Sequence, residues 1–143
     1  MHDDFEQFVE QLQERIDEDT RAQFGETFYR RWKNPLYMAV MPDPDAHSRV
    51  TGDCGDTIEM FLKFEQDRVA RASFQTDGCG PSGVCGSYAA ELAIGKKADD
   101  LLEITGGQIL AVLGNLPEEY RHCAYLAANA LHEALNEYMA DSS

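Results

Sequence analysis

The chain has 143 residues, a formal net charge of −14 and four cysteines; that length supports one domain with its own core, so the cysteines need not act as a disulfide frame. The charge disfavours nucleic acid and anionic membranes as partners, through like-charge repulsion. Met1-His2-Asp3-Asp4-Phe5 lacks a basic start and an apolar run, and no apolar stretch reaches bilayer-spanning length, so the expectation is a cytoplasmic protein with reduced thiols.

From Asp3 to Lys33, Phe5, Phe8, Val9, Leu12, Ile16, Phe24, Phe28 and Trp32 recur at helical steps with one wider gap. The spacing predicts an amphipathic helix over 1–33, interrupted near Gly25, whose stripe docks on the domain. Asn34-Pro35 stops it, and the proline-rich stretch to Asp45 reads as a surface loop. Ile58, Met60, Leu62 and Phe64 alternate with Thr57, Glu59, Phe61 and Lys63, a period of two that predicts a strand with one buried face. Glu65 to Arg68 breaks the pattern before a second strand from Val69 to Thr76, giving a hairpin, and Arg49 to Thr51 is a candidate third strand.

A helix follows from Ser82 to Ile94 with Gly95 as its stop, then a short helix at 99–102, another from Thr105 and a long one from Pro117 to Met139. The order predicts an α+β fold: a small antiparallel sheet of two or three strands packed against an N-terminal helix and several C-terminal helices. There is no repeat or linker, so 1–143 reads as a single domain.

The cysteines carry the functional signal. They occur as Cys54-Gly55-Asp56, Gly78-Cys79-Gly80, Cys85-Gly86 and His122-Cys123, three of the four followed by glycine. Glycine permits close backbone approach to a bulky ligand, and Asp56 and His122 add oxygen and nitrogen donors to the thiols. Such a mixture suits zinc or iron. The hairpin returns Cys79 to the neighbourhood of Cys54 and Asp56. His122 and Cys123 diverge by about 100° around their helix, so only their neighbourhood is guaranteed to face the hairpin end. On its own, Cys123 reads equally as core or ligand. Cys85 reads either as a buried packing residue or as a fourth thiolate or resolving thiol. Met38, Met41 and Met60 read as packing, His132 as surface, and His2 and His47 lack a ligand constellation.

These motifs, with Leu116-Pro117 ahead of His122-Cys123 and Asn34-Pro35 and Pro44-Asp45-Ala46 ahead of Cys54, resemble the U-type iron–sulfur cluster scaffolds (IscU, SufU and the amino-terminal domain of NifU), over about 34–140. The resemblance implies a scaffold or carrier, not a conventional enzyme, that takes sulfur from a cysteine desulfurase, receives iron, transiently holds a [2Fe-2S] cluster and passes it to apo acceptor proteins. It implies Cys54, Cys79 and Cys123 as thiolate ligands, Asp56 as the residue tuning cluster lability, His122 as an alternative ligand or relay, and Cys123 as first acceptor of persulfide sulfur. It also implies that zinc can fill the site in isolated protein. The run Glu118-Glu119-Tyr120-Arg121 after Leu116-Pro117 departs from the chaperone-recognition sequence of familiar members, which argues against recognition by the Hsc-type chaperone pair. A zinc protein with a structural or regulatory ion and a sulfurtransferase or redox thiol enzyme are the competing readings.

Overall fold

In the computed structural model, which describes residues 2–78, 80–114 and 116–142, two helices precede a three-stranded sheet and three further helices. Helix α1 spans His2–Phe24 and α2 Glu26–Lys33. Gly25 separates them at φ 90°, a left-handed conformation that an L side chain resists. The Asn34-Pro35 step then ends α2, because the residue before proline is pushed out of the helical region.

Strands β1 (Ala46–Thr51), β2 (Thr57–Glu65) and β3 (Arg68–Thr76) form an antiparallel sheet in the order β1-β2-β3. The third strand is real and begins earlier than the Arg49 expected from sequence, pairing Ala46 with Leu62. The β2–β3 turn places Gln66 and Asp67 at φ 53° and 66°, the primed geometry that matches the twist of a tight hairpin. The alternation read in β2 understates its burial. As the central strand it is covered on both sides, and Phe61, assigned to the outer face, is 5% exposed beneath the stacked His47 ring.

Helix α3 runs Gly80–Ala93, a 3₁₀ turn Ala98–Glu103 follows, and α4 covers Gly106–Leu113 with Thr105 Oγ1 accepting from the Gln108 amide at 3.1 Å. A second 3₁₀ turn, Glu118–Tyr120, precedes α5, His122–Ser142, so the last helix starts five residues later than Pro117. Its Ala- and Leu-rich interior contains no glycine or proline and favours helix throughout. Helix α5 packs on β1 and β2, and α3 packs on β3 and α5.

The core joins Phe28, Ile58, Met60, Leu62, Phe74, Leu101, Ile104 and Leu131 to the small faces of α3 and α5, where Ala89, Ala90, Ala93, Ala124, Ala127 and Ala130 permit close helix approach. Each fully buried large apolar side chain contributes about 1.5–3 kcal/mol. Two sequence expectations fail. Phe24, Phe28 and Trp32 do pack against the core, but Phe5, Phe8, Val9, Leu12 and Ile16 are 42–70% exposed, because α1 packs against α2 and extends beyond the domain. His132 is half-buried, not a surface residue, and its Nε2–H donates to the Ile104 carbonyl at 2.7 Å.

Candidate metal and sulfur centre

The five-residue loop Gly52–Asp56 joins β1 to β2 at one end of the sheet. Gly52 N–H donates to the Asp56 carbonyl at 2.9 Å and Gly55 N–H to the Gly52 carbonyl at 3.0 Å, closing the loop on itself. Gly55 sits at φ 93°, a conformation only glycine adopts without strain, and this brings Cys54 and Asp56 to the same rim.

The strand ends beneath the loop are tied together. Thr57 N–H donates to Asp77 Oδ1 at 2.8 Å, Thr76 Oγ1–H donates to the Thr57 carbonyl at 2.6 Å, and Gly78 N–H donates to Thr76 Oγ1 at 2.9 Å. The segment after β3 is thereby held against the Cys54 loop. Gly78 fits there because a Cβ would meet Ser82 Oγ at 2.8 Å and the Asp56 carboxyl carbon at 2.9 Å.

Cys54 Sγ, an Asp56 carboxylate oxygen and a His122 ring nitrogen all lie within 4.8 Å of one another. Their burial is graded: Cys54 and His122 are exposed, and Asp56 is intermediate. Behind them Cys123 is fully buried, its Sγ 3.6 Å from His122 Nε2 and 3.5 Å from Ser82 Oγ, while Ser82 donates to Asp56 Oδ2 at 2.8 Å. The predicted Cys54, Asp56, His122 and Cys123 thus meet at one end of the sheet. Cys79, predicted as a ligand, lies outside the described residues. Cys85, like Cys123, is fully buried among the core residues.

The donor set suits a borderline or soft cation: a thiolate and an imidazole bind zinc and iron, and a carboxylate is a harder, weaker partner to them. The three candidate donors come from two segments, the 52–56 loop and the start of α5, and meet at a rim that solvent reaches. A cleft of about 290 Å³ runs alongside, between Cys54, His122 and Tyr125, and a second of about 280 Å³ lies by Gly78 and Trp32. A larger cleft, about 1030 Å³ between β1 and α5 around His47 and Glu133, contains none of the trio. We assign the chemistry to donor convergence and not to cavity size.

Two site residues escaped sequence reasoning. From sequence Ser82 marks only a helix start. The helical spacing places Trp32 only in a docking stripe, yet its indole Nε1 would lie 3.0 Å from a Cβ at Gly80, so it covers the first residue of α3. The signal for Ser82 was its position three residues after Cys79, where the opening turn of a helix faces whatever the preceding loop builds.

A small α+β domain whose loops gather cysteine, aspartate and histidine at one sheet end defines a class of metal- or sulfur-handling proteins. The NifU-like N terminal domain family matches residues 24–143, and this chain belongs to that family. It is 32% identical over 116 residues to iron-sulfur cluster assembly scaffold protein IscU 1 of Archaeoglobus fulgidus, covering 80% of this chain and 76% of the relative. It is 28% identical over 120 residues to the scaffold protein IscU of Aquifex aeolicus, covering 82% and 76%. Among solved structures, the N-terminal NifU-like protein of Brucella abortus has the same fold with a TM-score of 0.66 at 19% identity, covering 84% of this chain and 96% of that one. A putative SUF-system scaffold of Fervidobacterium islandicum gives 0.67 at 16% identity, covering 81% and 98%.

Proposed function

We propose that this protein is an iron–sulfur cluster assembly scaffold that receives iron and sulfur at the Cys54, Asp56, His122 and Cys123 centre and passes the product to apoproteins. The observation that carries the reading is the convergence of Cys54, Asp56 and His122 within 4.8 Å, with Cys123 directly behind, in a NifU-like domain. Cys79 is the further thiolate the reading requires, and its neighbours Gly78 and Gly80 flank the centre.

In this reading the cluster is cargo. Sulfur arrives by attack of a scaffold thiolate on the outer sulfur of a donor persulfide, which forms a new S–S bond on the scaffold and releases the donor cysteine as thiolate. A cysteine desulfurase is the donor that fits, and Cys123 is the acceptor the family resemblance implies. The buried sulfur of Cys123 requires the His122 side of the centre to open for that step. Cys54, Asp56 and His122 hold the cargo at the rim, and Asp56 supplies the weakest bond, at which an incoming acceptor thiolate exchanges. A [2Fe-2S] cluster is the cargo proposed, and the protein's role is that of a carrier.

Zinc accepts the same donors, so the same site in isolated protein takes zinc. Anaerobic reconstitution with ferrous iron, cysteine and a cysteine desulfurase separates the readings. A red-brown chromophore that forms and then moves to an apo-ferredoxin is the expected result, and Asp56→Ala should slow that movement. Zinc retention with no chromophore would leave a zinc protein instead.

A further inference from the structure

We propose that Ser82 is a positioning residue of this centre, holding the Asp56 carboxylate in ligating position; the inference rests on the reading of Cys54, Asp56 and His122 as a metal-receiving site. Ser82 lies in the first turn of α3 and is fully buried. Its hydroxyl donates to Asp56 Oδ2 at 2.8 Å, and Cys123 Sγ lies 3.5 Å away on its other side.

A hydroxyl carries a single proton, and an ionised carboxylate only accepts. Ser82 can donate to Asp56 or to Cys123 but not to both at once, although its oxygen can still accept from a Cys123 S–H. The 2.8 Å contact to a carboxylate is the shorter and stronger of the two. With one oxygen engaged by Ser82, Asp56 offers its other oxygen to the cargo and is restrained from chelating it through both. A carboxylate bound through one oxygen is the easily exchanged ligand that a carrier needs. The hydroxyl links the exposed rim to the buried sulfur.

Position 78 is shaped around this contact, since any Cβ there would press on both Ser82 Oγ and the Asp56 carboxyl carbon. Two variants therefore disturb the same bond by different means: Ser82→Ala deletes the hydroxyl, and Gly78→Ala pushes its partners apart.

The test is anaerobic Co(II) titration of the full chain, followed by thiolate-to-cobalt charge transfer and by the d–d bands that report coordination geometry. Ser82→Ala should weaken Co(II) binding about tenfold, as loss of a partner to a metal ligand typically does, and should alter the d–d envelope. In an Asp56→Ala background Ser82→Ala should cost nothing further, whereas a merely structural serine would cost the same in both. Gly78→Ala should reproduce the loss, with far-UV circular dichroism confirming that each variant is folded. Undiminished affinity in Ser82→Ala, or an equal loss with and without Asp56, overturns the role of Ser82 alone. Absence of any thiolate-to-cobalt band in the wild-type chain overturns the metal-centre reading itself, and the Ser82 inference with it.

Discussion

His122 Nε2 approaches Cys123 Sγ to 3.6 Å although the two residues are adjacent at the start of α5. Successive helical side chains diverge by about 100°, so the contact requires the imidazole to fold back over the sulfur. It covers a thiol that is already fully buried, whereas Cys54 is exposed. Alkylation should therefore modify Cys54 first and leave Cys85 and Cys123 protected in the native chain. His122→Ala should accelerate labelling at Cys123 and not at Cys85, which lies in the core. Timed iodoacetamide treatment with peptide mass spectrometry reads all of these sites, and equal rates at Cys54 and Cys123 would contradict the geometry.

Helix α3 meets β3 through Gly86, where an added Cβ would lie 2.6 Å from the ring of Phe74. That ring is fully buried and has no room to retreat. Gly86→Ala gains helix propensity of about 1 kcal/mol, but overpacking a rigid core costs about 1–3 kcal/mol. The net change should be destabilising, read as a lower urea midpoint with an unchanged slope. A stabilised variant would mean that Phe74 moves more freely than its burial indicates.

The parts of this fold that were legible in the sequence are those set by local pattern. Gly25, Asn34-Pro35 and Thr105 marked helix boundaries, period-two alternation marked β2, and the polar break at Glu65–Arg68 marked the turn into β3. What failed depended on neighbours. The stripe on α1 has perfectly good helical spacing, but spacing does not say whether a surface waits opposite it. His132 looked solitary because its partner, the Ile104 carbonyl, is a backbone group 28 residues away. The candidate donors Cys54 and Asp56 were legible because their glycine-flanked loop is chemically unusual, and His122 because it adjoins a thiol. Ser82 was not, because its role exists only through Asp56 and Cys123, which the chain brings to it from opposite directions.

Glu59 on β2 accepts from His47 at 2.8 Å and from Gln75 at 2.9 Å, with Arg49 at 3.6 Å. The His47 hydrogen bond, then that of Gln75, hold its carboxyl below the usual glutamate range, against a smaller opposing effect of burial. A depressed folded-state pKa means that the ionised group stabilises the native chain above the ordinary glutamate pKa, and that this stability is lost as pH falls through the depressed value. Glu59→Gln should therefore lower the thermal midpoint at neutral pH. The gap from wild type should narrow as pH drops below about 4. Melting curves across that range check it, and a gap independent of pH would assign the loss to shape instead of charge.

Phe8 and Phe28 lie on consecutive helices and have opposite fates, the first 62% exposed and the second 1%. Phe28 stacks on Phe24 with ring centroids 4.3 Å apart and enters the core, so Phe28→Ala should cost about 3–5 kcal/mol. Phe8 and Leu12 face solvent on the part of α1 that precedes the family-matched region 24–143. The double substitution Phe8→Ser with Leu12→Ser should change stability by no more than about 0.5 kcal/mol per site, as exposed positions do. Urea unfolding of the two variants against wild type decides the matter. A large loss from the α1 substitutions would show that this part of the stripe docks on the domain after all, as its spacing alone predicts, whereas a small one confines the folding contribution of the α1 stripe to its Phe24 end.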